Sequence, residues 1–469
     1  MRFRDLYGFF TASRQSTGLI PLPYFHFRRQ MPVGQGGFHV GALRLANSPY
    51  GPVPIGSSVA RFSGAGYIYA YDCGSEPKRH VHREINGLRD VVADGQLDLL
   101  VLSHFDRDHI CGTPHLLRRD GFQVDTIMLP FVDMDERIIA LAQAAAETGD
   151  HGGAIDSFFV NMVFDPAGTL AQFRPRRVIF VRGEDDETPL DGEGGPDFTP
   201  DFMGEFEGKS ASGRRDPPFR TELIAAYPDG QRRAEHVRLT ASGNTEFIAI
   251  RNMALAVHDQ GSSVLWKLTP WVRRANPAHI AAFRTAVEAL FGWHPGTFAV
   301  QVTDQAVRKQ MVTTKRTKLA AAYKIAFGDK NLTSLCLYSG PLHPERTDAH
   351  AFTHKLPGSS KTKIGWLGTG DAHLHDAADI AAFEQAYVDD LPLVSAFTLP
   401  HHGSIANSNP AQLVSDADLW IAAADPIHKW EHPAWQLQAA VAALKRQFRH
   451  VRSYPDTACE EGFLIIARR

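Results

Sequence analysis

The chain has 469 residues, 43% hydrophobic and 22% charged, enough for one large domain or two with a sizeable core. Its 49 Lys and Arg against 52 Asp and Glu give a net charge of −3, which argues against a global field built to hold nucleic acid or an anionic membrane. Four widely spaced cysteines (Cys73, Cys111, Cys336, Cys459) without a CxxC pair read as buried thiols of a reducing compartment, and no run of about 18 apolar residues suggests a membrane span, so a cytoplasmic protein is expected.

Residues 1–30, with their prolines and aromatics, read as a loose leader. Residues 56–72 read as strand material ending in Tyr67-Ile-Tyr-Ala-Tyr-Asp72-Cys-Gly74, the glycine closing the strand. Over 80–94, Val81, Ile85, Leu88, Val91 and Val92 recur at helical spacing; Gly95 stops the helix, and the run 97–102 is apolar on both faces. Strand, helix and covered strand in succession predict an α/β layered core. From 113 to 330 the pattern weakens and shows no repeat. Helices are predicted over 135–147 and 279–291, and 183–217, rich in Gly, Pro and acid, reads as a flexible exposed loop. Arg308, Lys309, Lys315, Arg316, Lys318 and Lys324 fall in a predicted helix; a solvated face is the plain reading, a phosphate-facing patch the alternative. Short strands return at 334–338, 364–368, 396–399 and 419–423, followed by an amphipathic helix over 434–447 and a last strand at 462–467.

The chemistry concentrates in His104-x-Asp106-x-Asp108-His109, directly after the buried run 97–102 and before Gly112. One His or Asp there would be solvated or would cap the next helix. Four at a buried strand end demand partners, and a loop curling off the strand can converge them on a metal pair. Imidazole with carboxylate suits first-row divalent cations. Two later strand ends carry matching groups. Asp371 follows Gly368-Thr-Gly370; a Gly-Asp pair alone signals a turn, but a carboxylate there would bridge two metals. Pro400-His401-His402-Gly403-Ser404 follows the strand 396–399, and two adjacent histidines in such a position are seldom both structural.

These motifs resemble the metallo-β-lactamase superfamily, and within it the ComEC-type branch, the hydrolase domain of a DNA-uptake channel protein and its soluble relatives. The resemblance rests on Val33-Gly-Gln-Gly36, Asp72, Ser103-His-Phe-Asp-Arg-Asp-His109, Asn331-Leu-Thr-Ser334-Leu, Thr369-Gly-Asp371, Pro400-His-His-Gly-Ser404 and Glu431-His432-Pro433, in the family's order. It covers 31–112 and 331–467, about half of the chain. It implies an α/β fold, an αββα sandwich whose halves are 31–112 and 331–469, with 113–330 as a large insertion or subdomain. It further implies that His104, Asp106 and Asp371 hold one metal, and Asp108, His109, Asp371 and His402 the other. His402 is preferred to His401 because the family ligand directly precedes the glycine; His401 would then contact substrate. Asp72 would support the ligand loop from behind, and His432 at the cleft rim would bind the leaving group or donate a proton.

The departures from the family pattern also carry meaning. Asp106 stands where the common motif has histidine, and its carboxylate, a harder ligand than imidazole, makes Mn²⁺ or Mg²⁺ a competitor to Zn²⁺. The separate third-motif histidine is missing, with Asn331 or Ser334 near its place, so the first metal is one protein ligand short. His343, His350, His354 and His373 lie near motifs in sequence, though each reads most simply as a surface histidine. Gly37 stands where relatives often carry an acid. The expected activity is a metal-dependent hydrolase, a phosphodiesterase or nuclease in which a metal-activated hydroxide attacks, Asp108 orients it and His401 helps to stabilise the leaving oxygen. The alternatives are a thioester, lactone, amide or lactam hydrolase on the same site, or a non-catalytic binding module of a larger assembly. The choice of phosphodiester rests largely on resemblance, since a fold alone does not select a substrate.

Overall fold

The structure, a computed structural model, describes residues 22–46, 62–92, 94–148, 156–183, 190, 219–227, 232–242, 244–259, 264–273, 276–327, 334–351, 363–426 and 431–467. Its strands are β1 (Leu22–Gln30), β2 (His39–Leu45), β3 (Tyr67–Tyr71), β4 (Gln96–Val101), β5 (Gln123–Pro130), β6 (Arg177–Val181), β7 (Phe219–Ala225), β8 (Glu235–Ser242), β9 (Thr245–Arg251), β10 (Met253–Asp259), β11 (Val264–Val272), β12 (Leu335–Pro341), β13 (Thr347–Ala351), β14 (Gly365–Gly368), β15 (Val394–Thr398), β16 (Leu419–Ala423), β17 (Gln447–Val451) and β18 (Cys459–Ala467). They form two mixed sheets, ordered β13-β18-β1-β2-β3-β4-β5-β6-β9-β8 and β17-β16-β15-β14-β12-β11-β10-β7. β3 to β6 and β9 run parallel in the first sheet, as do β14 to β17 in the second.

Alternation along the strands builds three apolar layers. Tyr67, Tyr69 and Tyr71 of β3 share a core with Leu99 and Val101 of the same sheet and with Leu335, Leu337, Trp366, Leu419 and Ile421 of the other. That core lies between the sheets. Ile68 and Ala70, on the opposite face of β3, pack with Val81, Ile85 and Leu88 of the helix Arg79–Val91 and with residues of the helices Met134–Thr148, Pro277–Phe291 and Arg316–Phe327. On the far side of the second sheet, Tyr338, Leu367, Phe397 and Trp420 meet Ile380 and Phe383 of the helix Ala377–Ala386 and Val441 of the helix Trp435–Ala443. The result is a mixed α/β protein with helices on both outer faces.

Two segments differ from the sequence reading. Residues 22–30, expected as leader, form β1 between β18 and β2. The buried Arg28 and Arg29 of this strand are matched in register by Glu461 and Glu460 of β18, with which they form ion pairs. Residues 113–330, expected as an insertion, do not stand apart in the described portion. They supply β5, β6, β8 and β9 to the first sheet and β7, β10 and β11 to the second. The acidic stretch 183–217 lies, apart from Gly183 and Leu190, outside the described residues.

The basic stretch is divided between the helices Gln305–Val312 and Arg316–Phe327. Arg308 is buried, donates to the carbonyls of Val302 and Thr303 at 3.1 and 3.2 Å, and sits over the Phe164 ring. Lys315 lies over the rings of Phe291 and Trp293, and Lys318 Nζ donates to the Leu290 carbonyl at 2.8 Å. These three cations serve helix packing. All four cysteines are free and buried, and burial raises their thiols, Cys111 to about 11 and Cys459 to about 12. Among the described residues no helix is long and apolar enough to cross a membrane.

Candidate metal centre

Directly beyond β4, the chain turns through Ser103 and His104 into the short helix Arg107–Ile110. Neighbouring loops clamp this turn through the backbone. Cys73 N donates to His109 O and Gly112 N to Cys73 O, both at 2.7 Å; Gly37 N donates to Asp108 O at 3.1 Å and Gly74 N to Gly37 O at 2.9 Å. The Gly34-Gln-Gly-Gly37 segment therefore lies against the ligand loop. A Cβ at Gly37 would stand 2.7 Å from Asp72 Cβ and 3.0 Å from His109 Nδ1, so there is no room for a side chain at this position.

The second sheet delivers the other half. Asp371 follows β14, and its amide donates to Ser334 Oγ at 3.0 Å. Gly370 between them has φ 52°, and a Cβ there would meet Ser334 Oγ at 2.2 Å and Ser103 Cβ at 2.7 Å, so glycine is required both for conformation and for space. Leu335 N donates to Ser103 O at 2.7 Å, tying the two sheets together at the site. After β15, His401 and His402 both hold positive φ, 47° and 59°, an uncommon state for non-glycine residues that persists only when surroundings impose it.

Donor atoms from both sheets converge on Asp371. On one side, His104 Nε2 lies 3.5 Å from Asp371 Oδ2 and 3.4 Å from Asp106 Oδ2, and His401 Nε2 lies 3.6 Å from Asp371 Oδ2. On the other, His109 Nε2 is 3.1 Å and His402 Nε2 4.0 Å from Asp371 Oδ1, while Asp108 Oδ2 is 3.1 Å from His402 Nε2 and 4.0 Å from His109 Nε2. Ligand atoms about 2.1 Å from one cation lie roughly 3.0–3.5 Å from one another, a spacing that several of these pairs meet. His104, His109 and Asp371, and likewise Asp108, His109 and His402, have the spacing of ion-holding groups.

The ring nitrogens facing outward from the centre fix the tautomers. Ser103 Oγ gives its proton to Asp72 Oδ2 at 2.9 Å and so accepts from His104 Nδ1 at 2.8 Å. His109 Nδ1 donates to Asp72 Oδ2 at 2.8 Å, and His402 Nδ1 to the Ala423 carbonyl at 2.9 Å. As neutral rings, all three turn an Nε2 lone pair towards a carboxylate, an arrangement that a cation relieves. Among the described residues neither His104 Nε2 nor His109 Nε2 has a hydrogen-bond partner, although both are buried. Protons answer the same negative charge. Against burial and the neighbouring His109, the Asp371 and Asp106 carboxylates push His104 up to about 10; against burial, Asp371, Asp72 and Asp108 hold His109 well above the usual histidine range. Asp108 and Asp371 are held far below the carboxylate range by the surrounding imidazoles, despite burial.

Asp72 accepts from Ser103 N at 2.7 Å with Oδ1 while Oδ2 serves Ser103 and His109, so it orients both ends of the motif. The His432 ring lies 5.5 Å from that of His401 and 6.4 Å from that of His402; burial, with His402 and His401 beside it, lowers it to about 3. Asn331 and His354 lie outside the described residues. His343 faces Glu345, His350 is exposed on β13, and His373 Nδ1 bonds Asp379 Oδ2 at 2.7 Å. Sequence reasoning missed Gln143, buried in the helix Met134–Thr148, whose Nε2 donates to Asp106 Oδ2 at 2.7 Å. It also missed Asn407, whose side chain touches His401 and the Asp371 carbonyl.

Fold and site together define a mixed α/β protein with a buried histidine–aspartate donor cluster between its two sheets. The chain matches no protein-family model and no curated protein.

Proposed function

We propose that this chain is a divalent-metal-dependent hydrolase of the metallo-β-lactamase type, cleaving phosphodiesters at a two-metal site. The observation that carries this reading is the convergence of imidazole Nε2 lone pairs on opposite oxygens of the buried Asp371. Sheets packed face to face with helices outside are compatible with the αββα sandwich that the motifs resemble. On that reading 31–112 and 331–469 are its halves, and 113–330 widens both sheets.

His104, Asp106 and Asp371 Oδ2 would hold one cation, and Asp108, His109, His402 and Asp371 Oδ1 the other. Two divalent cations, Zn²⁺, Mn²⁺ or Mg²⁺, would activate water at neutral pH and stabilise charge on the attacked group. The carboxylates at Asp106, Asp108 and Asp371 are hard donors, which favours Mn²⁺ or Mg²⁺ more than a histidine-dominated set would. With its side chain 21% exposed against 8% and 3% for Asp106 and Asp371, Asp108 is the open carboxylate. It would accept a hydrogen bond from the attacking water and orient it. His432, neutral at pH 7 beside His401 and His402, would hydrogen-bond the leaving oxygen. Because Arg308, Lys315 and Lys318 are engaged in packing, small phosphodiesters suit the chain better than long nucleic acids.

The test is metal analysis of the purified chain, followed by assays with added Mn²⁺ or Zn²⁺ on bis(p-nitrophenyl) phosphate beside thioester and lactam substrates. Metal uptake with selective phosphodiester cleavage is expected. Cleavage of the acyl substrates alone would replace the substrate class, and a chain that takes up no metal would end the reading.

A further inference from the structure

We infer that His401 is a metal ligand, the fourth donor of the first cation and the replacement for the missing histidine of that set. The inference rests on the two-metal reading and deepens it.

Asn407 decides the tautomer of His401. Its Nδ2 donates to the Asp371 carbonyl at 3.0 Å and reaches the Ala372 carbonyl at 3.5 Å, which fixes the amide orientation. Its Oδ1 is then the atom 2.9 Å from His401 Nδ1, and an amide oxygen only accepts, so Nδ1 carries the proton. The lone pair is on Nε2, 3.6 Å from Asp371 Oδ2, an oxygen that His104 Nε2 also approaches at 3.5 Å. Asn407 is fully buried, so its grip on the ring is shielded from water.

The backbone supports the same assignment. His401 N donates to Gly370 O at 2.9 Å, and the residue is held at φ 47°, an imposed conformation that turns its ring to the opposite side of Asp371 from the ring of His402. A residue serving only as a substrate contact would not need a ring nitrogen beside the bridging carboxylate and a buried amide behind it. The two donor sets then match. Each has two imidazoles, one carboxylate of its own and one oxygen of Asp371: His104, His401, Asp106 and Oδ2 on one side, His109, His402, Asp108 and Oδ1 on the other. Sets of like composition favour the same metal at both positions.

His401→Gly is the variant of choice, because glycine adopts positive φ freely and the fold should persist. The chelator-stripped full chain and the variant are titrated with Co²⁺, reading stoichiometry by calorimetry and ligand geometry by visible absorption. The wild type should take up two ions. The variant should keep one at wild-type affinity and bind the other at least ~100-fold more weakly with an altered spectrum, and added imidazole should restore it; Asn407→Ala should weaken the same ion ~10–100-fold. Two ions of unchanged affinity and spectrum in His401→Gly would overturn this assignment alone. No uptake by the wild type would overturn it together with the two-metal reading.

Discussion

His401 and His402 are consecutive in sequence, yet their Nε2 atoms face different oxygens of Asp371, Oδ2 at 3.6 Å and Oδ1 at 4.0 Å. Consecutive left-handed residues make this possible by turning the chain tightly at the end of β15. One carboxylate therefore stands between two donor sets, each drawn from both sheets.

Replacement of Asp371 should consequently disturb both sets at once. On the two-metal reading, Asp371→Ala should lose both ions on dialysis, with affinity falling by more than the ~100-fold typical of a residue behind a ligand. The proposed phosphodiester hydrolysis should fall at least as far. Metal analysis of dialysed protein, with circular dichroism to verify the fold, checks this; a variant retaining two tight ions would show that Asp371 bridges nothing.

Gln143 should affect one set only. Its side chain donates to Asp106 Oδ2 at 2.7 Å from a helix that also packs on the first sheet, so it holds that carboxylate beside His104. Gln143→Leu keeps the volume and removes the donor. The expected result is ~10–100-fold weaker binding of one ion with the other unchanged. Competition with a chromogenic chelator reads it directly, and equal weakening of both ions would refute the assignment to Asp106.

The difference between what the sequence discloses and what it hides is one of range. His104, Asp106, Asp108 and His109 are legible because they sit within six residues after a strand whose apolar run marks it as buried. Asp371 and the His401–His402 pair are legible for the same reason at β14 and β15. Gln143 is not, since one glutamine in an alanine-rich helix looks like a solvated position until the fold brings it to Asp106. The strand Leu22–Gln30 is hidden because Arg28 and Arg29 suggest exposure, and the acids that neutralise them are more than 400 positions away. The weak strands of 113–330 likewise acquire meaning only through pairing: β9 lies between β6 and β8, and β10 between β11 and β7.

Arg28 also ties the sheets together. From β1 it donates to Glu461 Oε2 through Nε at 2.7 Å, to the Ile364 carbonyl at 2.8 Å and to Ser395 Oγ at 2.7 Å, the last two belonging to the second sheet's side. Both charged partners are buried. Glu461→Ala would leave the guanidinium without its counter-charge and should cost about 3–5 kcal/mol, whereas replacing Arg28 and Glu461 together by Met and Leu should recover most of that loss. Denaturant unfolding of the three proteins is the measurement. A cost below about 1 kcal/mol for Glu461→Ala would mean that water reaches Arg28.

The last prediction concerns two buried histidines that are not among the cluster's donors. His39 stacks on Trp366 with centroids 3.8 Å apart, and neither of its ring nitrogens has a hydrogen-bond partner among the described residues; His26 stacks on Trp266 at 4.2 Å. Burial, and then Arg28, holds both well below the usual histidine range, with His39 adding to the effect on His26. Below about pH 6.5 the unfolded chain takes up protons at these positions that the folded chain refuses, so stability is full above that pH and declines as pH falls. His104 and His109, whose folded values are raised, offset part of this near about pH 6.5 but not below about pH 5.5, where they are protonated in both states; the lowered Asp108 and Asp371 begin to matter only near about pH 4. Urea unfolding of metal-free protein between about pH 6.5 and 5 should show stability falling by up to about 1.4 kcal/mol per pH unit for each such histidine. His39→Phe keeps the stack on Trp366 and should reduce that slope by about one proton. An unchanged slope in this variant would mean that His39 is protonated in the folded protein.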